Sequence, residues 1–562
     1  MEQIEIIYML IFFALIAIVG FSGYRQRKEM NRYLYKRIKK NFGNTPERLY
    51  TSEELKNIAG YFETKKKSGF FIDDITYNDL DLEEIFKLLN NTYSCVGEEY
   101  LYKMLRMPEY DEKELKERDK IISYFEENNE EAYKLSKIFS ELIKNPKISF
   151  YDLISRTMEI KKLNPLIDIL CVIMVVASVG ATIYYPPVGV LLSVAVLAFN
   201  VFSYFSRKAQ IENYILCFKY IIAMVDIADK ISKQESKGVL DEYFSELKKD
   251  VDEIKSIKKG MFLLSSGGMS GSITDIIMDY VRMILHVDLI KFNSMLKKTL
   301  YYRALIDNLY EKLGYLESCI AVASFRKSLS YYCKPIFSDK NSRIKCDEVY
   351  HPVIAHPIAN DIYEEKCVLI TGSNASGKST FLRTIAINAL FAQTIYTCTA
   401  NEFETCFYEI YSSMALKDSL SSSDSYYMVE IKSLKRILDR IDGRRRILCF
   451  VDEVLRGTNT IERIAASSHI LKHMSDSKVM CFAATHDIEL THILEDIYSN
   501  YHFTEEVEDT DVMFSYKLIE GEATSRNAIK LLDIMGYDEN ITKSAEKMAC
   551  DFVKNGNWTK CY

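Results

Sequence analysis

No two of the 13 cysteines stand in C-x-x-C spacing, and none gathers with histidines into a metal-type cluster. Several sit in apolar runs, as Cys367, Cys449 and Cys481 do, so reduced and buried thiols of a cytosolic protein are the simplest reading. An excess of positive charge is also lacking. Lys and Arg number 72 against 79 Asp and Glu, a net charge of −7, so no global signature of nucleic-acid binding is present and only a local basic face stays open. Internal repeats and long low-complexity tracts are absent, which leaves out solenoid arrays. Positive charge is missing ahead of the first apolar run, residues 6–21, and follows it instead at Arg25, Arg27, Lys28, Arg32, Lys36, Arg37, Lys39 and Lys40. A cleaved signal peptide has the opposite order, so an uncleaved anchor with its N-terminus outside is expected.

What is present points to nucleotide chemistry. Cys367–Thr371 reads as a short buried strand and residues 381–391 as a helix. Between them lies Gly372-Ser373-Asn374-Ala375-Ser376-Gly377-Lys378-Ser379-Thr380. Gly372 and Gly377 let backbone N–H groups curl around phosphate oxygens where a side chain would clash. Lys378 would reach the β- and γ-phosphates, Ser379 would place its hydroxyl on Mg²⁺, and the helix start adds its positive end. The apolar run 447–451 suits a buried parallel strand. Asp452 at its end is placed for the Mg²⁺ shell, and Glu453 to orient or deprotonate a water. A third strand, Val479–Ala484, ends in Thr485-His486-Asp487, where His486 could sense the γ-phosphate or the water. The bland alternatives are a solvated Asp-Glu turn and a structural histidine.

The runs TGSNASGKSTFLRTIAINALFAQ, VDEVLRGTNT and FAATHDIELT together resemble the ATPase domain of the MutS family, a branch related to ABC-type ATPases. Upstream, Leu329 to Pro335 and Tyr350 to Ile354 resemble the approach to that domain, and Ile358-Ala-Asn360 the segment along the nucleotide base. Residues 521–562 resemble its C-terminal helix-turn-helix, through which subunits pair. Residues 91–108 resemble the start of the family's helical core. The resemblance implies ATP with Mg²⁺ in a composite site shared by a homodimer. Arg456-Gly457-Thr458 matches a loop that couples paired sites. Ser422 and Ser425 take the serine positions of a signature loop that reaches the partner's γ-phosphate, with Ser423 at its usual glycine; a plain serine-rich loop is the alternative. Ser373, Ala375 and Ser376 replace the family's usual Pro, Met and Gly. The family's mismatch-reading domain precedes its core, and the residues ahead of position 41 leave no room for it.

A second pair of apolar runs, 169–184 and 188–205, flanks Tyr185-Pro186-Pro187, with Lys161 and Lys162 before and Arg207 and Lys208 after. A buried helical hairpin is one reading; a membrane hairpin with both outer ends cytoplasmic fits the basic flanks better. The expected fold is an α/β P-loop NTPase domain preceded by an all-α helical core with transmembrane helices. Its parts are an anchor and basic flank at 1–40, core at 41–160, hairpin at 161–208, further core at 209–335 and ATPase domain at 336–562. Length allows two to four domains. The expected location is the cell membrane, multi-pass through three spans, with the ATPase domain cytoplasmic. Two outputs follow: a membrane-anchored ATPase that binds DNA, or a mechanochemical ATPase acting on the membrane or an unidentified protein partner.

Overall fold

The computed structural model describes residues 21–22, 25–26, 28–67, 69–142, 144, 148–157, 166–235, 238–258, 280–281, 283–338, 342–373, 376–414, 426–441, 443, 445–456, 458–475, 478–507, 512–523, 528–558 and 560. The first apolar run up to residue 20, the expected helix break at 265–271, Asn374, Ala375, Ser422, Ser425 and Gly457 lie outside them. The chain divides into two compact units. One comprises Met1–Ser68, Leu89–Lys103 and Lys120–Ser328; the other Gly69–Leu88, Met104–Asp119 and Leu329–Tyr562. Two stretches of the expected first core segment therefore group with the C-terminal domain.

The first unit is helical. Its longest element, Pro186–Ser232, runs 47 residues and starts on two prolines, where a missing N–H costs nothing. Leu166–Tyr184 packs beside its first part. The two come close enough that a Cβ on Gly189 would lie 2.2 Å from the Thr182 Cα, so only glycine fits there. The Thr182 and Ser193 hydroxyls meet at 3.0 Å. Leu166–Tyr184 and Pro186–Ala209 are long and apolar enough to cross a membrane, and only 17% of each apolar window is buried within the protein. Ile183, Leu191 and Phe202 are among the exposed side chains, opposite to what a hairpin sealed in a soluble core would show. The sequence places the end of this hairpin at 208. The helix instead continues without interruption, because 206–232 contains no glycine or proline to stop it.

A buried polar knot closes the open end of the hairpin. Asp168 accepts from Arg207 at 2.8 Å and lies 3.1 Å from His286 Nδ1, while His286 Nε2 is 3.1 Å from the Asn200 carbonyl. Deeper in the unit, carboxylates satisfy orphan N–H groups at helix starts. Glu317 accepts from the Tyr93 and Ser94 amides ahead of Cys95–Arg106, and Glu99 from the Phe150 amide at the start of Phe150–Thr157.

The second unit holds two sheets. In chain order its strands are β1 (Ile336–Phe337), β2 (Ile344–Val349), β3 (Asn360–Glu364), β4 (Cys367–Thr371), β5 (Glu402–Thr405), β6 (Tyr408–Ser413), β7 (Arg446–Asp452), β8 (Val479–Ala484), β9 (Tyr498–Val507) and β10 (Val512–Glu520). The smaller sheet runs β1-β5-β2-β3 and the larger β10-β9-β4-β8-β7-β6. In the larger sheet every pair is parallel except the β9–β10 edge. Its central strands are buried almost throughout and apolar between their ends, as strands covered on both faces must be. One face packs Cys367, Leu369, Cys449, Val451 and Cys481 against Leu434, Ile437, Leu471 and Met474. The helix Lys378–Thr394, buried along nearly its whole length, packs against β7 and β8.

The early stretches of this unit are tied in by polar contacts. Asp79 Oδ2 accepts from the Ser412 hydroxyl at 2.7 Å and the Met414 amide at 2.9 Å, and Arg383 pairs with Asp81 at 2.8 Å. At the C-terminus, Ala528–Ile534 and Glu539–Asn555 form two packed helices, joined at a turn where Gly536 is left-handed. Met535, Tyr537 and Ile541 stay exposed on this pair.

Candidate nucleotide site

The register of the larger sheet builds the site. Ile370 of β4 pairs with Ala484 of β8, and Ala484 with Asp452 of β7, so three strands end on one rung. Two further bonds continue that rung beyond the strands: Thr485 N to Ile370 O and Glu453 N to Ala484 O, each 2.9 Å. The residues that follow emerge together at the carboxyl edge, where open parallel sheets bind ligands.

The phosphate loop follows β4. Gly372 has φ 143° and Gly377 φ 107°, and a Cβ on Gly377 would press to 3.2 Å from the Tyr516 ring. Both positions need glycine. Lys378, 4% exposed, donates to the loop carbonyls of Gly372 at 2.7 Å and Ser373 at 2.8 Å. Ser376 is buried, and its hydroxyl has no hydrogen-bond partner among the described residues. The Ser379 hydroxyl donates to Asp452 Oδ2. A serine hydroxyl and a carboxylate side by side at a helix start form a hard oxygen pair suited to Mg²⁺ with its waters and phosphates. The residues present thus fit a Mg²⁺–nucleotide.

Glu453 stands next to that pair. Its carboxylate is 2.7 Å from His486 Nε2 and is ion-paired with Arg456 on the other oxygen. Burial raises its pKa, but the His486 hydrogen bond and the Arg456 and Lys378 charges outweigh it, leaving the group below the ordinary value. Removing His486 takes away the largest of the lowering contacts. The acid limb of the pH–rate profile of a His486→Ala variant is therefore expected to move to higher pH, and steady-state hydrolysis from pH 4.5 to 8 would measure it. An unmoved limb would show that His486 does not hold the carboxylate.

The loop carrying Glu453 is strained. Glu453 and Leu455 have φ of 59° and 60°, a left-handed conformation that costs roughly 1 kcal/mol or more per non-glycine residue. The Val454 carbonyl accepts from the Ser467 hydroxyl at 3.2 Å, and the Leu455 amide donates to the buried Glu430 carboxylate. Asp487, next to His486, is gripped by both arms of Arg463, at 2.9 and 2.5 Å.

Beside the phosphate loop lies a cavity of about 370 Å³, lined by His351, Pro357, Ile358, Asn360, Gly377, Thr380, Phe503 and Tyr516 among others. Its size and mixed apolar and polar wall suit a purine. His351 is pushed down to about 4 by burial and the Arg383 charge, so it is neutral at physiological pH.

Comparison with known proteins gives the domain its family. Residues 368–553 match the family model described as MutS domain V. The DNA mismatch repair protein MutS of Thermosipho melanesiensis is 29% identical over 273 residues, 46% of this chain and 32% of that protein. The protein of the same description from Thermus thermophilus is 28% identical over 222 residues, 39% of this chain and 27% of its own. That from Lactobacillus acidophilus is 29% identical over 260 residues, 44% and 30% respectively.

The chain carries a domain similar to MutS domain V. It spans about a third of the length of the curated relatives it matches. Within this domain, Gly372, Ser373, Ser376, Gly377, Lys378, Ser379, Asp452, Glu453 and His486 gather at one edge of the sheet. Thr380 lines the neighbouring cavity. Asn360 lines it too, but its amide is spent on β10: Nδ2 donates to Tyr516 O at 3.0 Å and Oδ1 accepts from Leu518 N at 2.7 Å. It fixes the wall of the cavity. Sequence reasoning missed Tyr516, Phe503 and the Arg463–Asp487 clamp. Only the bidentate chemistry of Arg and Asp, 24 residues apart, hinted at the clamp.

Proposed function

We propose that this protein is a Mg²⁺-dependent ATPase whose site is completed by a second copy of the chain, anchored at a membrane and acting on DNA. The observation that carries the ATPase reading is the shared rung, which brings Lys378, the Ser379–Asp452 pair and Glu453–His486 to one point. Bound Mg²⁺ would supply charge neutralisation at the phosphates. The chain's own groups do the rest. The phosphate loop offers amides and Lys378 to the phosphates, Ser379 and Asp452 offer oxygens, and ionised Glu453 accepts a proton from the attacking water while His486 and Arg456 hold it in place. Pairing of copies is supported by the exposed Met535, Tyr537 and Ile541 on the C-terminal helices. The exposed apolar sleeve of Leu166–Tyr184 and Pro186–Ala209 supports a membrane hairpin. Protection of a cysteine placed at the Tyr185 turn from an impermeant thiol reagent applied from the ATPase side of sealed vesicles tests it, and a turn open to that reagent would refute it.

A basic groove supports DNA as the ligand. Lys28, Arg32, Lys36, Lys134 and Lys137 line a space of about 940 Å³ in the helical unit, and no acidic residue among the described residues lines it. The curated relatives are described as DNA mismatch repair proteins. Salt-sensitive DNA binding modulated by nucleotide is expected. Replacing Arg32, Lys36, Lys134 and Lys137 with Ala should flatten the slope of log K against log salt by about 0.9 for each phosphate that is no longer neutralised. Absence of DNA retention above background at low salt would sink this reading. The uninterrupted run of Pro186–Ser232 from the apolar hairpin into the helical unit favours a second one, in which ATP-driven movement acts on the membrane or a protein partner. Hairpin cross-links indifferent to ATP would count against that alternative.

A further inference from the structure

Glu430 belongs to no group that touches a nucleotide, yet it is buried 5% exposed one turn into the helix Tyr426–Leu438. Farther along the same helix, Leu434 and Ile437 are sunk into the core beneath the sheet, so this stretch has a fixed base. One carboxylate oxygen of Glu430 accepts the Leu455 amide. The other has no hydrogen-bond partner among the described residues. Leu455 is itself buried, so its N–H needs the bond to Glu430 in the interior.

The position of this contact is what gives it meaning. Residues 453–455 leave β7 with Glu453 and Leu455 both left-handed and Val454 turned down into the core. A chain of this shape relaxes unless it is held from outside. Three bonds hold it: Glu453 N to Ala484 O, the Ser467 hydroxyl to Val454 O, and Leu455 N to Glu430. The first two fix the loop to the sheet and to the helix Thr460–His473. The third holds the residue at which the left-handed turn ends, and the turn is what aims the Glu453 side chain across to His486.

We propose that Glu430 is a positioning residue for hydrolysis, holding the 453–456 loop through the Leu455 amide so that Glu453 faces the reacting water. This rests on the ATPase reading above. The contact on the loop is an accepted bond from the Leu455 amide, so an acceptor oxygen at this reach is what the loop uses; burial raises the Glu430 carboxyl and the Leu455 and Arg456 amides oppose it. A glutamine, which keeps an acceptor oxygen of the same reach, should therefore replace it, and a methionine of similar volume should not.

The test is steady-state and single-turnover ATP hydrolysis by the full chain in detergent, alongside binding of a fluorescent ATP analogue. Glu430→Met is expected to lower kcat by roughly 10- to 100-fold with nucleotide affinity within about threefold, and Glu430→Gln to stay within about threefold of the unaltered rate. Adding Glu430→Met to Glu453→Gln should slow single turnover no further, because the residue acts through Glu453. A general weakening of the fold would instead lower the rate in both backgrounds and cut affinity. Overturning results are Glu430→Met hydrolysing at the unaltered rate, Glu430→Gln falling as far as Glu430→Met, or a second loss of similar size in the double variant. Failure of the ATPase reading itself looks different: the unaltered chain would not hydrolyse ATP at all, whatever stands at 430.

Discussion

Glu453→Gln is expected to bind ATP as tightly as the unaltered protein and to hydrolyse it at least roughly a hundredfold more slowly. The geometry gives the reason. Of the two carboxylates at the end of β7, Asp452 takes the Ser379 hydroxyl and Glu453 is held by His486 and Arg456 instead. Gln keeps the volume and the hydrogen bond to His486 but cannot take up a proton from water. Burial works against ionisation of Glu453 and its cationic neighbours overcome it, so the carboxylate is charged at neutral pH and the loss should appear in kcat. Single-turnover hydrolysis beside equilibrium nucleotide binding separates the two effects. Undiminished turnover would remove Glu453 from the assigned role.

Lys378→Ala should act on the other side of that division. Its ammonium is buried at 4% exposure and satisfied by two carbonyls of its own loop. A charge-assisted bond to a phosphate in this enclosed place is worth roughly 1.5–3 kcal/mol, so affinity for ATP should fall by at least about tenfold and up to roughly a hundredfold or more. The same change removes one of the charges that keep Glu453 ionised, so any residual turnover should also need higher pH. Isothermal titration with ATP and Mg²⁺ measures the first effect. Affinity unchanged within twofold would mean that the loop does not cradle phosphate.

Much of the site was legible because it is local. Cys367–Thr371 and Val479–Ala484 read as buried strands from continuous apolar runs, and glycines at 372 and 377 mark a turn that only glycine makes. Asp452 and Glu453 follow from where an apolar run stops. What stayed hidden depends on contacts between distant residues. Asn360 looks like a ligand-side residue in its own tripeptide, and only the approach of Tyr516 and Leu518, more than 150 positions later, shows that its amide is already engaged. Glu430 reads as an ordinary helix carboxylate, and only the fold brings the Leu455 amide, 25 positions later, onto it. Residues 69–88 and 104–119 read as part of one helical stretch, but Asp79 and Asp81 find their partners at Ser412 and Arg383 in the sheet-bearing unit. That one helix continues past the hairpin was hidden for a related reason. A change from apolar to charged side chains alters what surrounds a helix without giving its backbone any cause to stop.

That last point has a mechanical side. Pro186–Ser232 has 47 residues, and at 1.5 Å per residue it is a rod of about 70 Å with one end in the apolar hairpin and the other anchored by the buried Ile227, Ala228 and Ile231. A rod without a joint converts angle into distance. Tilting it by about 5° at the inner end would sweep the hairpin tip through roughly 6 Å, more than one full helical turn. Small adjustments in the packing of the helical unit would therefore arrive at the far end enlarged, and a glycine pair set near residue 208 would act as a clutch, letting one end turn while the other stands still.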